Sequence, residues 1–314
     1  MILGVDIGAT TIKLGVVDTQ RGEIAAEASL PTPQQGSLSV AHAIAERTKE
    51  FLAAYPEIRL LGVGVPGSMN IDRSLVRYPP NLLGWKEEPL RDHLKRELPQ
   101  FKKIEVDNDA NVAALAEAYH GAGKGASHFL LVTLGTGVGG AIYISEENFK
   151  GIVRGASGGA GEFGHTSIDL NGPTCQCGSR GCIEAYLGIH YLAERTRKKL
   201  LENPGIVSSL RENIEILSPK LIASAMNSGD RFARTVFEEA GNFLGAALAN
   251  VANLLDIHVF IIGGGVAEAG DVLFDAAFDS LRSRVLENLK PVVEIHRAKF
   301  GNRAGIIGAA MMVS

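Results

Sequence analysis

Residues 175–182 read CQCGSRGC and contain all three cysteines of the 314-residue chain, and His165 lies ten residues before Cys175. Three thiolates and one imidazole form a Cys₃His set, which suits tetrahedral Zn²⁺. Glycines at positions 178 and 181 let the backbone turn tightly enough to direct closely spaced sulfurs at one ion. The sequence therefore predicts a zinc site whose ligands are His165, Cys175, Cys177 and Cys182.

A disulfide explains these cysteines less well than a metal. An odd number of cysteines leaves one thiol unpaired, and Cys175 and Cys177 are too close in sequence for an easy bridge. No secretory peptide points to an oxidising compartment. Three unrelated buried cysteines are the remaining alternative, although free cysteines usually scatter through a core.

Length and composition predict a two-domain globular protein. A chain of 314 residues exceeds the size at which one hydrophobic core usually keeps growing. Its net charge of -4 gives no bulk attraction to nucleic acid or anionic lipid. The most apolar run, residues 244–263, is interrupted by asparagine, aspartate and histidine, so it reads as a buried helix and strand. We expect a cytoplasmic protein with neither nucleic acid nor membrane as a partner.

Strands and helices alternate along the chain. Residues 2–6, 12–17 and 24–30 predict a three-stranded meander, because short apolar runs flank turn residues. Capping residues and apolar periodicity predict helices over residues 37–54, 109–120, 183–201 and 303–312, and a long helix that opens at Asp230.

Three glycine-containing turns, each directly after an apolar strand, predict phosphate binding. They begin at Asp6, Leu134 and Gly263 and read DIGATTIK, LGTGVGG and GGG. Glycine permits close backbone approach, so N–H groups and threonine hydroxyls can donate to phosphate oxygens. One such turn is more often a simple β-turn, but the first two resemble a diverged repeat, as expected of two halves that clasp one nucleotide. Walker A and protein-kinase motifs are absent.

Acid–base chemistry is expected at residues 107–111, which read DNDAN. Asp109 lies where a strand turns into a helix, so its carboxylate can serve as a general base for an attacking hydroxyl, with Asn108 orienting the substrate. The alternative is a helix cap or first-turn acid that the helix dipole stabilises. Glu162 and Glu184 flank the zinc ligands, and each is either held rigidly by the zinc site, supports a ligand, or is simply solvated.

Four stretches together resemble the ROK family of sugar kinases and repressors. They are C-x-C-G-x-x-G-C-x-E at residues 175–184, GEFGH at 161–165, NDAN at 108–111 and DIGAT at 6–10. The match spans the whole chain in the family's order. The cysteine signature is very specific, whereas the glycine turns are shared with the wider actin/hexokinase/Hsp70 fold group.

The resemblance implies a two-domain α/β fold of the actin-like ATPase (ribonuclease H-like) type, with a mixed five-stranded sheet in each domain and a central cleft. We expect the first domain over residues 1–110, completed by a C-terminal helix at about 303–314, and the second over residues 111–302, carrying the zinc site. The implied ligands are ATP, Mg²⁺, a hexose and structural Zn²⁺, and the implied assembly is a homodimer or homotetramer.

The resemblance also implies roles for individual residues, with Asp109 as the base that activates the sugar hydroxyl. The implied sugar-contacting positions are Gly67, Asn81, Asn108, Asp109, Glu162, His165 and Glu184. The implied nucleotide and phosphate positions are Gly8, Thr10, Thr11, Lys13, Thr136, Gly137, Gly139 and Gly264, with Asp6 orienting Mg²⁺ through water. Many members have Gly-Gly-Thr-Lys where this chain reads Gly8-Ala9-Thr10-Thr11.

The same family contains DNA-binding repressors, which carry a winged-helix segment before the first strand. Here the first predicted strand starts at Ile2 and no basic recognition helix precedes it, which favours a kinase. The expected activity is phosphorylation of the 6-hydroxyl of a hexose, with glucose as the first choice. N-acetylglucosamine or N-acetylmannosamine, fructose, mannose and allose are the alternative substrates, and a sugar-sensing protein without catalysis is the alternative class.

Overall fold

A computed structural model describes residues 1–79 and 82–314 as an α/β protein. Its strands are β1 (Ile2–Ile7), β2 (Thr11–Asp18), β3 (Glu23–Pro31), β4 (Leu60–Val65), β5 (Ser68–Met69), β6 (Val76–Arg77), β7 (Glu87–Glu88), β8 (Lys103–Asn108), β9 (His128–Leu134), β10 (Val138–Glu146), β11 (Phe149–Ile152), β12 (Val259–Gly263) and β13 (Glu294–Arg297). Its α-helices are α1 (Ser37–Ala54), α2 (Leu90–Glu97), α3 (Asp109–His120), α4 (Glu184–Leu187), α5 (Ile189–Glu202), α6 (Pro219–Asn227), α7 (Arg231–Leu255), α8 (Asp271–Arg284) and α9 (Ala304–Val313).

The first five-stranded sheet has the order β3-β2-β1-β4-β8. Strand β1 pairs antiparallel with β2 and parallel with β4, so the sheet is mixed. Both faces of β1 are buried, which explains why its sequence, ILGVDI, is almost continuously apolar. The predicted meander of β1, β2 and β3 is confirmed, with β2 and β3 joined by a turn in which Gly22 N–H donates to the Asp18 carbonyl over 2.8 Å.

The second five-stranded sheet has the order β11-β10-β9-β12-β13. Strands β12 and β13 pair in parallel, as do β9 and β12, while β10 and β11 are antiparallel. Each sheet therefore places its first strand in the centre, the next two strands on one side and the last two on the other. The expected α/β fold with mixed five-stranded sheets is confirmed, and the two glycine turns read as a repeat follow the corresponding strands, β1 and β9.

The C-terminal helix α9 packs directly against the first sheet, on β1 and β4, and against helix α3. Its approach to the sheet is so close that a Cβ atom built on Gly62 of β4 would lie 1.7 Å from the Ala309 carbonyl oxygen. Any larger residue at position 62 would therefore push the helix away. The apolar helix AGIIGAAMMV is buried on nearly all sides, which is consistent with its lack of charged residues.

By its internal contacts the chain divides into two compact units. The first comprises residues 1–127, 141–161 and 299–314, and the second comprises residues 128–140 and 162–298. Helix α3 belongs to the first unit and the cysteine stretch to the second. No helix within the described part of the chain combines the length and apolar character that crossing a membrane requires.

One predicted helix is two helices in the structure. Residues 183–201 were expected to form a single helix, but the chain breaks at Gly188, whose ψ of 142° is not helical, and gives α4 and α5. The break lets the Ile189 N–H donate to the Gly135 carbonyl over 3.0 Å, and a Cβ at Gly188 would meet the Thr136 carbonyl at 3.1 Å. A tertiary contact with the glycine turn after β9 thus overrides the helical pattern.

Candidate functional site

The four predicted metal ligands lie together in the second unit. The ligand atoms of His165, Cys175, Cys177 and Cys182 are all within 4.8 Å of one another. The Sγ atoms of Cys177 and Cys182 are 3.6 Å apart, and Cys175 Sγ is 3.8 Å from His165 Nδ1. Zinc–sulfur bonds of about 2.3 Å at tetrahedral angles require sulfur–sulfur distances of about 3.8 Å. The donor set and its spacing therefore fit a tetrahedral zinc ion.

Backbone hydrogen bonds shape the cysteine stretch into a tight loop. The Gly178 N–H donates to the Cys175 carbonyl over 3.0 Å, and the Cys175 N–H donates to the Ser179 carbonyl over 2.9 Å. Gly178 and Gly181 have φ values of 89° and 67°, a region that favours glycine. The two glycines named from the sequence are therefore where the loop needs positive φ.

The three thiols differ in their acidity. Burial raises the pKa of Cys175 to about 12 and also raises the pKa of Cys182, whereas a backbone hydrogen bond from Ser179 lowers the pKa of the exposed Cys177. A buried thiolate is costly without a positive charge nearby. A divalent cation at the centre of the cluster would supply that charge and hold the thiolates deprotonated.

Glu184 begins helix α4 directly after Cys182 and joins the cysteine cluster to the glycine turn after β9. Its Oε1 atom lies 3.7 Å from Cys175 Sγ, and its Oε2 atom accepts a hydrogen bond of 2.9 Å from the Val138 N–H. A Cβ atom on Gly137 would lie 2.4 Å from that same Oε2, so the carboxylate can reach the backbone because residue 137 is glycine. The spacing of the sequence carried no signal for this link.

A short 3₁₀ turn of the second unit, Phe163–His165, begins directly after Glu162 and ends at His165. The His165 N–H donates to the Glu162 carbonyl over 3.1 Å, and both side chains are exposed. Phe163 and Gly164 are buried, and a Cβ at Gly164 would meet the Val138 carbonyl at 2.0 Å. The turn is therefore seated on the first residue of β10, with its carboxylate and imidazole left on the surface of the unit.

Asn108 and Asp109 stand at the junction of β8 and α3 in the first unit. Asn108 is the N-cap: its Oδ1 accepts hydrogen bonds of 2.9 Å from the Ala110 N–H and 3.2 Å from the Asn111 N–H. Asp109 is the first residue of the helix, and its Oδ1 accepts a hydrogen bond of 2.8 Å from the Ala110 N–H. Asp109 is therefore a first-turn acid rather than the cap.

The other predicted sugar positions of the first unit are Gly67 and Asn81. Asn108 Nδ2 donates to the Gly67 carbonyl over 2.9 Å, so these two residues are in direct contact. Gly67 has a φ of 96°, which favours glycine at the turn between β4 and β5. Asn81 lies outside the described residues.

The first of the glycine turns that are predicted to bind phosphate joins β1 to β2. The Gly8 N–H donates to the Thr11 carbonyl over 2.9 Å, and Thr32 Oγ1 donates to the Gly8 carbonyl over 2.7 Å. Thr10, at the tip, has an exposed side chain. Asp6 lies opposite Lys13 in the β1–β2 register, and burial raises the pKa of Asp6 while Lys13 lowers it. The turn thus carries an exposed Thr10 hydroxyl, and the adjoining strands pair the carboxylate of Asp6 with the ammonium group of Lys13.

The two glycine turns of the second unit that are predicted to bind phosphate lie side by side. The Val266 N–H donates to the Leu134 carbonyl over 3.1 Å, which ties residues 263–266 to residues 134–139. Gly264 has a φ of 91°, and a Cβ there would lie 2.4 Å from the Leu134 carbonyl. The structure therefore brings together the four positions that the sequence proposed for this unit: Thr136, Gly137, Gly139 and Gly264.

Comparison with known proteins identifies the family. The model of the ROK family matches residues 2–314, and this chain belongs to the ROK family. A glucokinase from Halalkalibacterium halodurans is 37% identical over 99% of this chain and 94% of its own length. An N-acetyl-D-glucosamine kinase from Citrobacter koseri is 29% identical over 99% of both chains.

Among solved structures, a ROK family glucokinase from Streptomyces griseus in complex with glucose and AMPPNP is similar to this chain. It is 33% identical and superposes with a TM-score of 0.82 over 99% of this chain and 98% of its own. The sheet order and this likeness together confirm the expected actin-like ATPase fold.

Proposed function

We propose that this chain transfers the γ-phosphate of ATP to the 6-hydroxyl of a hexose, with glucose as the preferred acceptor. The observation that carries the proposal is the junction of β8 and α3, where the N-cap bonds of Asn108 fix the turn that carries the Asp109 carboxylate at the start of the helix. The similarity to glucokinases over the whole chain supports the same activity.

Asp109 has the chemistry that phosphoryl transfer to an alcohol needs. A carboxylate within hydrogen-bond reach of the sugar hydroxyl accepts its proton as the oxygen attacks the γ-phosphate. The first turn of α3 holds the Asp109 backbone, and the N-cap bonds of Asn108 hold the turn. Positioning of this kind supplies most of the catalysis in phosphoryl transfer, because the reaction requires little other chemistry from the protein.

The nucleotide is assigned to the three glycine turns, and Mg²⁺ to Asp6. Asp6 would orient Mg²⁺ through water, and the ion would supply positive charge against the charge that develops on the phosphate. The Gly8–Thr11 turn offers N–H and hydroxyl donors, and Lys13 adds a positive charge beside Asp6. Backbone donors and one ammonium group are the usual partners of a polyphosphate chain.

The sugar-contacting role is assigned to the residues that the resemblance implies, Glu162, His165, Glu184, Gly67 and Asn108, with Asn81 kept as a sequence-based assignment. Carboxylates accept hydrogen bonds from two hydroxyls at once, which suits the vicinal hydroxyls of a pyranose near C1 to C3. The residue types therefore favour a pyranose whose hydroxyls near C1 to C3 are unsubstituted and whose primary hydroxyl is directed at Asp109.

Zinc is assigned a structural role at His165, Cys175, Cys177 and Cys182. Four protein ligands fill the tetrahedral coordination of zinc and leave no open position for a substrate. The ion would fix the 163–165 turn and the start of α4 together, and so would hold Glu162 and Glu184 in place. Zinc-binding thiols must stay reduced, which favours the cytoplasm as the compartment.

A substrate panel tests the proposed reaction. We expect kcat/KM with ATP to be highest for glucose among glucose, mannose, fructose, allose, N-acetylglucosamine and N-acetylmannosamine. We also expect ³¹P NMR to assign the product phosphate to the primary hydroxyl. Preference for an N-acetylated sugar would contradict the assignment of glucose and favour an N-acetylhexosamine kinase, the class to which the Citrobacter koseri relative belongs.

Two further measurements test the class of protein and its assembly. Sugar binding by calorimetry without ATP consumption would indicate a sugar-sensing protein rather than a kinase. We propose a homodimer or homotetramer as the active form, and light scattering coupled to size-exclusion chromatography measures its mass directly. A monomer with full activity would contradict the proposed assembly.

A further inference from the structure

A buried carboxylate lies directly behind the proposed catalytic turn and has no role in the function described above. Asp107 is the residue before Asn108 on strand β8, and only 1% of its side chain is exposed. Burying an ionised group is unfavourable unless hydrogen bonds and opposite charges surround it. The partners of Asp107 therefore indicate what its carboxylate stabilises.

One oxygen of Asp107 holds the backbone and the first turn of α3. Its Oδ1 atom accepts a hydrogen bond of 2.8 Å from the Asn108 N–H and one of 2.9 Å from Asn111 Nδ2. These two donors lie on either side of Asp109 along the chain. The position of Asp107 Oδ1 thus fixes the backbone before Asp109 and the Asn111 side chain in the first turn of the helix.

The other oxygen of Asp107 is held by arginine. Arg154 Nη2 donates to Asp107 Oδ2 over 2.5 Å, and Arg154 Nη1 donates to the Ile152 carbonyl over 3.3 Å. Arg154 follows strand β11 and is 47 residues away from Asp107 in sequence. A hydrogen bond between two charged groups is stronger and more directional than one between neutral groups. Arg154 is therefore the main external anchor of the Asp107 carboxylate.

A second arginine approaches the same carboxylate from a strained backbone position. Arg73, between β5 and β6, has a φ of 56°, a left-handed conformation that costs free energy for a residue with a Cβ atom. In this conformation its guanidinium lies 3.0 Å from Glu105 Oε2 and 3.7 Å from Asp107 Oδ2. Such strain persists where the surroundings fix it and is concentrated at functional sites.

We propose that Arg154 is a positioning residue for phosphoryl transfer: it holds Asp107, which holds the Asn108 N–H and Asn111, and these set the orientation of Asp109. The inference rests on the proposed function. Arg154 is assigned no contact with either substrate. Small displacements of a reacting group lower the rate strongly, and a base that has lost its support is misplaced without losing its charge.

The first experiment separates positioning from binding. Arg154→Met removes the guanidinium but keeps an unbranched chain in place of the aliphatic part, and we expect kcat to fall about 10-fold while both KM values stay within about twofold. Arg154→Lys should recover part of the loss, because it keeps the charge but not the planar pair of donors. A kcat for Arg154→Met within twofold of the wild type would overturn the proposal.

Arg197→Met is the matched control. The Arg197 side chain is 31% exposed and is paired with Glu215 and Glu194, whereas the Arg154 side chain is 29% exposed. Loss of an exposed ion pair on α5 should leave kcat unchanged. An equal fall of kcat in both variants would mean that Arg154 acts through general stability.

A second readout does not depend on catalysis. Hydrogen–deuterium exchange of peptides covering residues 105–112 should be faster in Arg154→Met than in the wild type, and unchanged in Arg197→Met. In a double-mutant cycle, Asp107→Asn should lower kcat much less in the Arg154→Met background than in the wild type, because both changes break one contact. Additive effects, or unchanged exchange, would overturn the proposal.

Failure of the proposed kinase activity and failure of the proposed role of Arg154 give different results. Wild-type protein that phosphorylates no hexose would contradict the proposed function, and the exchange measurement alone would then test the support of the 107–111 turn. Should Arg154→Met fail to fold, Arg154→Lys takes its place in both measurements. A lysine variant with wild-type kcat and wild-type exchange would overturn the proposal.

Discussion

Glu184 Oε2 accepts a hydrogen bond of 2.9 Å from the Val138 N–H, so a residue beside the proposed zinc ligands directly supports the glycine turn after β9. The other oxygen of the same carboxylate lies 3.7 Å from Cys175 Sγ. One side chain therefore contacts the backbone assigned to phosphate and a thiol assigned to zinc, while being itself assigned to the sugar. Changes at any one of these groups should affect the others.

Substitution of Glu184 tests this link. Glu184→Gln keeps an oxygen that can accept from the Val138 N–H, whereas Glu184→Ala leaves the N–H without its partner. We expect both variants to raise the KM for hexose about 10-fold or more, and only Glu184→Ala to raise the KM for ATP by several-fold. Steady-state kinetics with each substrate varied in turn measure both. An unchanged KM for ATP in Glu184→Ala would show that the hydrogen bond does not support the nucleotide turn.

Replacement of one thiolate should remove the metal and loosen the second unit. Cys177→Ser is expected to lose about one equivalent of zinc, because a neutral hydroxyl is a poor zinc ligand. Loss of several kcal/mol of metal-binding energy should lower the melting temperature by roughly 5 °C or more, and hexose affinity with it. Metal analysis and calorimetry measure both effects.

Gln176→Ala is the control for the zinc prediction, since Gln176 is exposed between two of the proposed ligands and its 2.9 Å hydrogen bond to the Tyr191 hydroxyl is donated by the backbone N–H. It should retain zinc and its melting temperature. Wild-type protein purified without chelator that contains no zinc, yet has full activity, would contradict the structural role of the metal.

Removal of the charge at Asp109 should abolish most of the activity and leave binding intact. Asp109→Asn is expected to lower kcat by roughly 10²-fold or more, the usual effect of losing a general base, with little change in nucleotide affinity. Rapid-quench measurements of the product and calorimetric titration with a non-hydrolysable ATP analogue measure the two quantities separately.

Asp92→Asn provides a matched control for Asp109→Asn, because Asp92 is the first-turn acid of helix α2. A purely helix-stabilising aspartate should affect melting temperature slightly and kcat not at all. If Asp109→Asn behaves like Asp92→Asn, the base must lie elsewhere.

The buried carboxylate of Asp6 makes stability depend on pH. Burial is the larger influence and raises its pKa above 3.8, while Lys13 opposes the rise, so the folded protein binds this proton more tightly than the unfolded chain does. The stability that the proton contributes is present at acid pH and is lost as pH increases through the raised pKa. Asp6→Asn cannot ionise and should escape that loss.

We therefore expect the melting temperature of Asp6→Asn to exceed that of the wild type by a margin that grows between pH 4 and pH 8, in the absence of nucleotide and metal. Saturating Mg²⁺ and ATP should reverse the order, since the wild type alone offers the carboxylate to the ion. Thermal unfolding over this pH range measures the margin. A difference that stays constant with pH would contradict the shift.

Several features of this protein follow from local sequence, because local interactions create them. The cap of α7 is an example: Asp230 was expected to open a long helix, and its Oδ1 accepts a 3.0 Å hydrogen bond from the Ala233 N–H at the start of Arg231–Leu255. The cysteine spacing likewise predicted the grouping of four ligand atoms, since a tight glycine-containing loop leaves closely spaced sulfurs few other arrangements.

Other features depend on tertiary structure, because their partners are distant in sequence. The 183–201 region has the apolar period of one helix, yet contact with Gly135 splits it at Gly188. The hydrogen bond between Arg154 and Asp107 spans 47 residues, and that between Glu184 and Val138 spans 46. Periodicity, capping and turn chemistry are properties of neighbouring residues. The partner of a charged side chain that lies far away in sequence is set only when folding has brought together the two segments that carry the groups.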